Sequence, residues 1–546
     1  MTASAHVDTF CARHLPAPEL LPEFRFDLPE LQFPARVNCA HELLDRWVEQ
    51  GDGDRPCLIG SEVRWTYAEL LVQANRIANV LVQDMGLVPG NRVLLRGANS
   101  PMLAACWFAV VKAGGVAVGS MPLLRAKELT QIVTKAEISH ALCDERLANE
   151  LMLTVPQCPT LRQVMHFHSD APDGLEARAL NKSGQFRNVD TAADDACLMA
   201  FTSGTTGTPK GAVHFHRDVM AACACWPRHH LQAARDDVFI GSPPLAFTFG
   251  LGGLLLFPLS IGASTILLEK ATPDVLPDAI ATHGGTVCFT SPTAYRAMAG
   301  TLKGRRLPTL RKCVSAGEAL PAATRQLWKD ATGIEMIDGI GSTELLHIFI
   351  SHTDREAKPG ATGKPVPGYT AAILDDALNP VPPGTVGRLA IKGPTGCRYL
   401  GDDRQRKYVQ NGWNLTGDAY LVDDEGWYIY QARTDDMIVS GGYNIAGPEI
   451  ESVLIAHPAV AECGVIGAPD EERGQVVKAF VVLRPGNIGD DAMRKALQDY
   501  VKQSIAPYKY PRQIEFRDAL PRTETGKLQR FRLRAETLAQ TTGTQA

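Results

Sequence analysis

Residues 202–211 read TSGTTGTPKG, with four threonines, three glycines, a serine, a proline and a lysine in ten positions. Glycine backbone freedom lets successive N–H groups turn toward one anion, and hydroxyls with a cation complete a phosphate cradle. The spacing is not that of the Walker loop, G-x-x-x-x-G-K-[ST] opening a helix. Five positions after Gly204 stands Pro209, Lys210 is followed by Gly211, and AVHF at 212–215 reads as a strand. The residues alone leave two readings, a phosphate loop of another kind or a glycine-rich turn. Further candidates are Thr343 and Glu344 in GIGSTE (339–344), Asp418 after the turn in TGD (416–418), and Lys527 closing PRTETGK (521–527). A carboxylate beside bound phosphates suits a hard cation that takes oxygen ligands. His214 and His216, assigned to one strand face, invite a metal reading but supply two ligands without a third.

The elements that must position these residues alternate. Thr66 and Glu69 form a capping box, and Leu70, Leu71, Ala74, Ile77, Ala78 and Leu81 then keep to one helical face up to Gly86. RVLLRG (92–97), VAVGS (116–120) and HALCD (140–144) read as strands, with helices MLAACWFAVVKAGG and ELTQIVTKA between them. Helices of that length between strands predict parallel, doubly wound α/β sheet. Residues 169–195 read as an irregular loop into the strand ACLMAFT, which delivers the opening motif. Open α/β sheets bind ligands at such strand exits. From about 360 to 430, Pro/Gly punctuation and short runs such as YTAAILD and GRLAIKG predict a β-rich subdomain. After ARTDD (432–436) a compact α+β unit follows.

The 546 residues imply more than one domain, and 45% hydrophobic and 21% charged residues with net charge −5 describe a globular chain. That balance argues against a nucleic-acid or anionic-membrane partner. Thirteen scattered cysteines suggest reduced thiols. The uncharged stretch 249–268 has spanning length, but four glycines, Pro258 and a β-rich end favour a buried helix followed by a strand. The N-terminal MTASAHVDTFCARHLP lacks an apolar core, and the expectation is a cytoplasmic protein, monomer or homodimer.

Six motifs fall in a fixed order: TSGTTGTPKG, SAGEAL (315–320), GIGSTE, TGD, ARTDDMIVSGGYNI (432–445) and PRTETGK. In that order the chain resembles, nearly end to end, the adenylate-forming superfamily of acyl-CoA synthetases, firefly-type luciferases and peptide-synthetase adenylation domains. The resemblance implies an N-terminal domain over 1–434 and a small mobile C-terminal domain over 435–546, hinged at Asp435. It implies ATP, Mg²⁺ and coenzyme A. Thr202, Ser203, Gly204, Thr205, Thr206, Gly207 and Lys210 would cradle phosphates, and Glu344 beside Thr343 would hold Mg²⁺ through ATP. Gly317, Glu318, Ala319, Asp338 and Gly339 would line the adenine, Asp418 would take the ribose hydroxyls, and Arg433 would be a ribose or phosphate partner. Lys527 would serve adenylation alone. Gly441, Gly442 and Tyr443 would form the coenzyme A tunnel. LAFTFG (245–250) and GIGSTELLH are similar to benzoate-CoA and 2-aminobenzoate-CoA ligases. That likeness implies a small aromatic carboxylic acid among Thr248, Phe249, Gly317, Ile340 and His347, with 2-aminobenzoate the leading substrate. Alternatives are another small acid, or a carrier-protein thiol as acceptor.

Overall fold

The computed structural model describes every residue except 1, 203–208, 303, 441–442, 471–472, 506, 523–526 and 544–546. Its elements grow from the expected local signals. Thr66 Oγ1 accepts the Glu69 N–H at 3.2 Å and Glu69 returns the bond to the Thr66 N–H at 2.8 Å, opening the helix Tyr67–Gln83. The helix Pro101–Lys112 is apolar on nearly every side and buries all but one of its residues.

Two large sheets carry these helices. One has six strands in the order Gln163–Phe167, His140–Asp144, Arg92–Arg96, Val116–Ser120, Ala196–Thr202, Lys210–Phe215. The first five are parallel, and the last turns back antiparallel on Ala196–Thr202. The other has nine strands, whose centre runs parallel through Met336–Gly341, Lys312–Ser315, Val287–Thr290, Val238–Gly241, Ser264–Ile266 and Pro56–Ile59. One apolar cluster, including Leu58, Val93, Phe108, Phe239 and Phe289, joins both sheets. The uncharged stretch folds as short buried helical turns, 248–260, then the buried strand Ser264–Ile266. Among the described residues no helix is long and apolar enough to cross a membrane. All thirteen cysteines are free and buried.

A five-stranded antiparallel sheet follows, built from Thr370–Leu374, Gly387–Lys392, Val409–Gln410, Trp413–Val422 and Tyr428–Arg433. The last five-stranded sheet begins at Ile438–Ser440 and surrounds its own apolar cluster of Ile438, Ile450, Val465, Val481 and Leu497.

Two local expectations are corrected. Residues 169–195 contain a helix, Leu175–Leu180, because Leu175 and Ala179 find an apolar surface that a polar-looking segment did not advertise. His216 is not on the strand with His214; it opens the helix His216–Ala224. Its Nδ1 accepts the Cys39 N–H at 3.1 Å with the Cys39 thiol 3.2 Å away, so the ring is already engaged away from His214.

The segment around 396–401 lies along Lys210–Phe215, joined to it by an antiparallel bridge between Ala212 and Tyr399. Val213 N–H donates to the Arg398 carbonyl and Leu400 N–H to the Gly211 carbonyl, both at 2.9 Å. Arg398 and Asp218 form a buried ion pair at 2.6 Å, with the guanidinium 4.2 Å and 4.1 Å from the Phe24 and Phe215 rings. Removing one partner of such a pair strands a buried charge, which costs about 3–5 kcal/mol. Arg398→Met is therefore expected to lower the melting temperature by several degrees. Asp218→Asn combined with Arg398→Met should recover part of that loss, and an unchanged melting temperature in the single variant would show that the ion pair does not pin the segment.

Candidate functional site

The parallel strands Val287–Thr290, Lys312–Ser315 and Met336–Gly341 end at one sheet edge, where an open α/β sheet presents its ligand cleft. The second releases Ala316–Leu320, and the third releases Ser342, Thr343 and Glu344. Glu318 sits at this edge, accepting the Thr293 hydroxyl at 2.7 Å. Ala319 beside it is exposed, and Gly339 lies within the third strand. From the six-stranded sheet, Thr202 ends one strand and Lys210 starts the next. Thr202 Oγ1 is buried without a hydrogen-bond partner among the described residues. Ser203, Gly204, Thr205, Thr206 and Gly207 lie outside the described residues, as do Gly441 and Gly442.

Glu344 is buried between sheets. The Tyr399 hydroxyl donates to its Oε1, Lys210 Nζ donates to that hydroxyl oxygen at 2.8 Å, and Lys210 lies 3.6 Å from the carboxylate. The Thr343 carbonyl accepts His214 Nε2–H at 2.8 Å. Burial pushes the His214 pKa down to about 4, so a neutral ring holds that turn. Sequence reasoning missed Tyr399, because nothing in the spacing links position 399 to 210 or 344.

Asp418 and Arg433 face each other across adjacent strands, with Nη1 and Oδ1 3.0 Å apart. Gly417, at φ +77°, leaves room for this, since a β-carbon there would stand 2.8 Å from Arg433 Nη2. Burial raises the Asp418 pKa against the opposing charges of Arg433 and Lys527. Asp338 Oδ1 is buried without a hydrogen-bond partner among the described residues. Desolvation lifts that carboxyl to about 7, with Arg325 opposing the shift.

Lys527 comes from the C-terminal unit into this cleft: a β-carbon on Gly317 would lie 3.9 Å from Lys527 Cε. Solvent reaches the side chain through the open cleft. The protein crowded around the ammonium still lowers its pKa, and the carboxylates of Glu318, Asp418 and Glu344 oppose that shift. Arg522 of the same unit approaches Glu318 at 3.9 Å. Asp435 lies in the turn Thr434–Asp436, and Tyr443 begins the strand Tyr443–Ile445.

The apolar end of the cleft is aromatic. His347 stands 5.7 Å from Phe249, 5.7 Å from Trp226 and 4.4 Å from Phe257, measured between ring centres. Gly252 gives it space, since a β-carbon there would come within 2.4 Å of His347 Cδ2. Burial pushes the His347 pKa down to about 3. Its Nε2 faces the Phe249 carbonyl at 3.4 Å, and its Nδ1 has no hydrogen-bond partner among the described residues. Ile340 and Phe249 pack against the same apolar cluster. Thr248 lines a small apolar cavity with Trp107, Leu198, Ala200 and Leu255.

Two groups of three side chains among the described residues have metal-ligand types, Cys39–Cys197–His216 and Asp144–His168–Glu269. In the first, the His216 Nδ1 lone pair already accepts the Cys39 N–H. In the second, the Arg146 guanidinium sits between Asp144 and Glu269, bonded to both.

The family model described as AMP-binding enzyme matches residues 44–399, and that of the AMP-binding enzyme C-terminal domain matches 449–527. A benzoate–CoA ligase of Thauera aromatica is 36% identical over 516 residues, covering 93% of this chain and 97% of that protein. The crystal structure of the anthranilate CoA ligase AuaEII in complex with anthranoyl-AMP shares 33% identity at a TM-score of 0.90, covering 94% of this chain and all of that one. A benzoate CoA ligase from Burkholderia xenovorans LB400 shares 32% identity at a TM-score of 0.83, covering 91% of this chain and all of that one.

The raised Asp338 carboxyl fixes the sign of a pH effect. Its folded value of about 7 lies above the ordinary 3.8, so the fold retains that proton and loses stability as pH rises from about 4 to about 7. Asp338→Asn removes that loss. Its melting temperature is expected to gain more on the wild type at pH 8 than at pH 5; the same difference at both values would contradict a buried, proton-retaining carboxyl.

Proposed function

The chain belongs to the AMP-binding enzymes, and from that premise we propose that it is an ATP-dependent aryl-CoA ligase whose preferred acid is 2-aminobenzoate, with benzoate accepted. As an AMP-forming acid–thiol ligase it works in two steps. The carboxylate attacks the α-phosphorus of ATP and pyrophosphate leaves; the coenzyme A thiol then attacks the acyl carbon and AMP leaves.

The observation that carries the reading is the meeting of Lys527 with Gly317, Glu318, Asp418 and Glu344 in one cleft. An ammonium there offsets charge where an anionic carboxylate approaches an anionic phosphate. The nucleotide fits the groups present. Asp338 Oδ1, without a hydrogen-bond partner among the described residues, suits the adenine amino group, the Asp418–Arg433 pair suits the ribose hydroxyls, and Lys210 suits the phosphates. Glu344 would hold Mg²⁺, which supplies charge neutralisation on the phosphates when bound. Catalysis is then positioning and electrostatics, without a covalent bond between enzyme and acyl group.

His347 supports the choice of acid. Burial keeps its ring neutral, and with the Nε2 proton toward the Phe249 carbonyl, Nδ1 is a buried acceptor in need of a donor. A ring amino group supplies one and benzoate does not. Trp226, Phe249 and Phe257 suit a flat ring.

Domains at 1–434 and 435–546, hinged at Asp435, complete the proposal: the pose with Lys527 in the cleft is the adenylating one, and rotation brings Gly441, Gly442 and Tyr443 to the thiol's path.

Two tests follow from this reading. AMP release across a panel of acids, with and without coenzyme A, is expected to rank 2-aminobenzoate and benzoate far above long-chain fatty acids; palmitate ahead of every aromatic acid would refute the substrate class. His347→Ala should change the ranking among ring-substituted acids more than the KM for ATP. Separately, Asp435→Pro fixes φ at the rotating position. Acyl-adenylate should still form while thioester formation collapses, and equal loss of both steps would remove the hinge.

A further inference from the structure

Tyr399 is buried, and side chains from two other elements, Glu344 and Lys210, meet at its hydroxyl. A phenol has one proton to donate and oxygen lone pairs to accept with. Here the proton goes to Glu344 Oε1, and Lys210 Nζ donates to the same oxygen at 2.8 Å. The direct Lys210–Glu344 separation, 3.6 Å, is longer than a hydrogen bond, so the phenol links them. The ammonium also lies 4.7 Å from the centre of the Tyr399 ring. Burial and the neighbouring Glu344 charge both push the phenol pKa up, which keeps it a donor.

The hydroxyl's place is set by the fold rather than by these two partners. The Tyr399 N–H donates to Gln405 Oε1 at 2.9 Å, and the ring meets Tyr408 edge-on at 5.7 Å. The flanking residues are bonded to the strand that Lys210 begins, and Arg398 next door is paired with Asp218. Tyr408 in turn shares a 3.3 Å hydrogen bond with Ser342, two residues before Glu344.

We propose that Tyr399 is a positioning residue for nucleotide binding: its hydroxyl orients the Glu344 carboxylate and keeps the Lys210 ammonium beside it, in an ion pair too long for a direct hydrogen bond. This rests on the reading above that the phosphates of ATP meet Lys210 and Glu344. A lysine held by a neutral phenol can turn to a phosphate by giving up one hydrogen bond. A lysine locked on the carboxylate would have to break a charge-assisted contact first, and would leave Glu344 unavailable to a cation.

The experiment uses the full-length chain and Tyr399→Phe, which removes only the hydroxyl. ATP affinity is measured by calorimetry over a Mg²⁺ titration without acid or coenzyme A, alongside the KM of each substrate and the melting temperature. The expected result is an approximately tenfold rise in the Kd for ATP and in the Mg²⁺ needed for half-saturation, the scale of one hydrogen bond to a charged group. The KM for the acid should stay within about twofold. Unchanged ATP affinity and Mg²⁺ requirement would overturn the proposal, and so would an equal rise in every KM with a fallen melting temperature, which marks a structural role. Should Tyr399→Phe alone fail to fold, the stranded carboxylate is neutralised by adding Glu344→Gln. If the hydroxyl acts through Glu344, the double variant should bind ATP no more weakly than Glu344→Gln alone; a further tenfold loss would overturn it. Wild-type protein that binds no ATP would instead remove the parent reading, and this one with it.

Discussion

The buried ion pair of Arg398 and Asp218 fixes how the β-rich part of the chain meets the parallel sheets. Asp218 lies just beyond the strand Lys210–Phe215, and Arg398 belongs to the segment that runs beside that strand. Neither charge can be left alone at that depth, so the two pieces of chain have one mutual register. The aromatic rings on either side of the guanidinium narrow it further. With 398 placed, Tyr399 must lie over Lys210 and Glu344, and the phosphate end of the cleft is assembled from three elements distant in sequence.

The rest of the cleft follows the same economy of charge. Its buried histidines, His214 and His347, are kept neutral by desolvation and act as hydrogen-bonding struts. Asp418 is faced by Arg433, and Asp338 keeps one oxygen without a hydrogen-bond partner among the described residues. One positive charge, Lys527, comes from the unit with its own apolar cluster and lowers the cost of several carboxylates at once. A cation delivered on a detachable unit can serve one step and be withdrawn for another.

Much of this was legible in the residues. The capping box at Thr66, the strand–helix alternation and the neutral stretch near 249–268 all speak through local chemistry, and local chemistry is what a sequence displays. The order of six short motifs identified the family, and the comparisons agree with an AMP-forming ligase of aromatic relatives. The helix at 175–180 was hidden because its apolar partners lie on other elements. Tyr399 was hidden for the same reason, and so was the separation of His216 from His214, which depended on where a strand ends. Long-range meetings were legible only where each partner sat in a recognisable motif, as Lys527 and Glu344 do and Tyr399 does not.

The two-pose use of Lys527 is tested most directly by measuring both half-reactions of Lys527→Ala. Adenylation from acid and ATP should fall by about 10²–10³, the typical cost of losing one preorganised donor to developing charge. Chemically prepared acyl-adenylate with coenzyme A should still give thioester at close to the wild-type rate, because the proposed second pose has the lysine outside the cleft. Equal loss in both half-reactions would contradict the mechanism, since one lysine would then be serving both steps from a single arrangement.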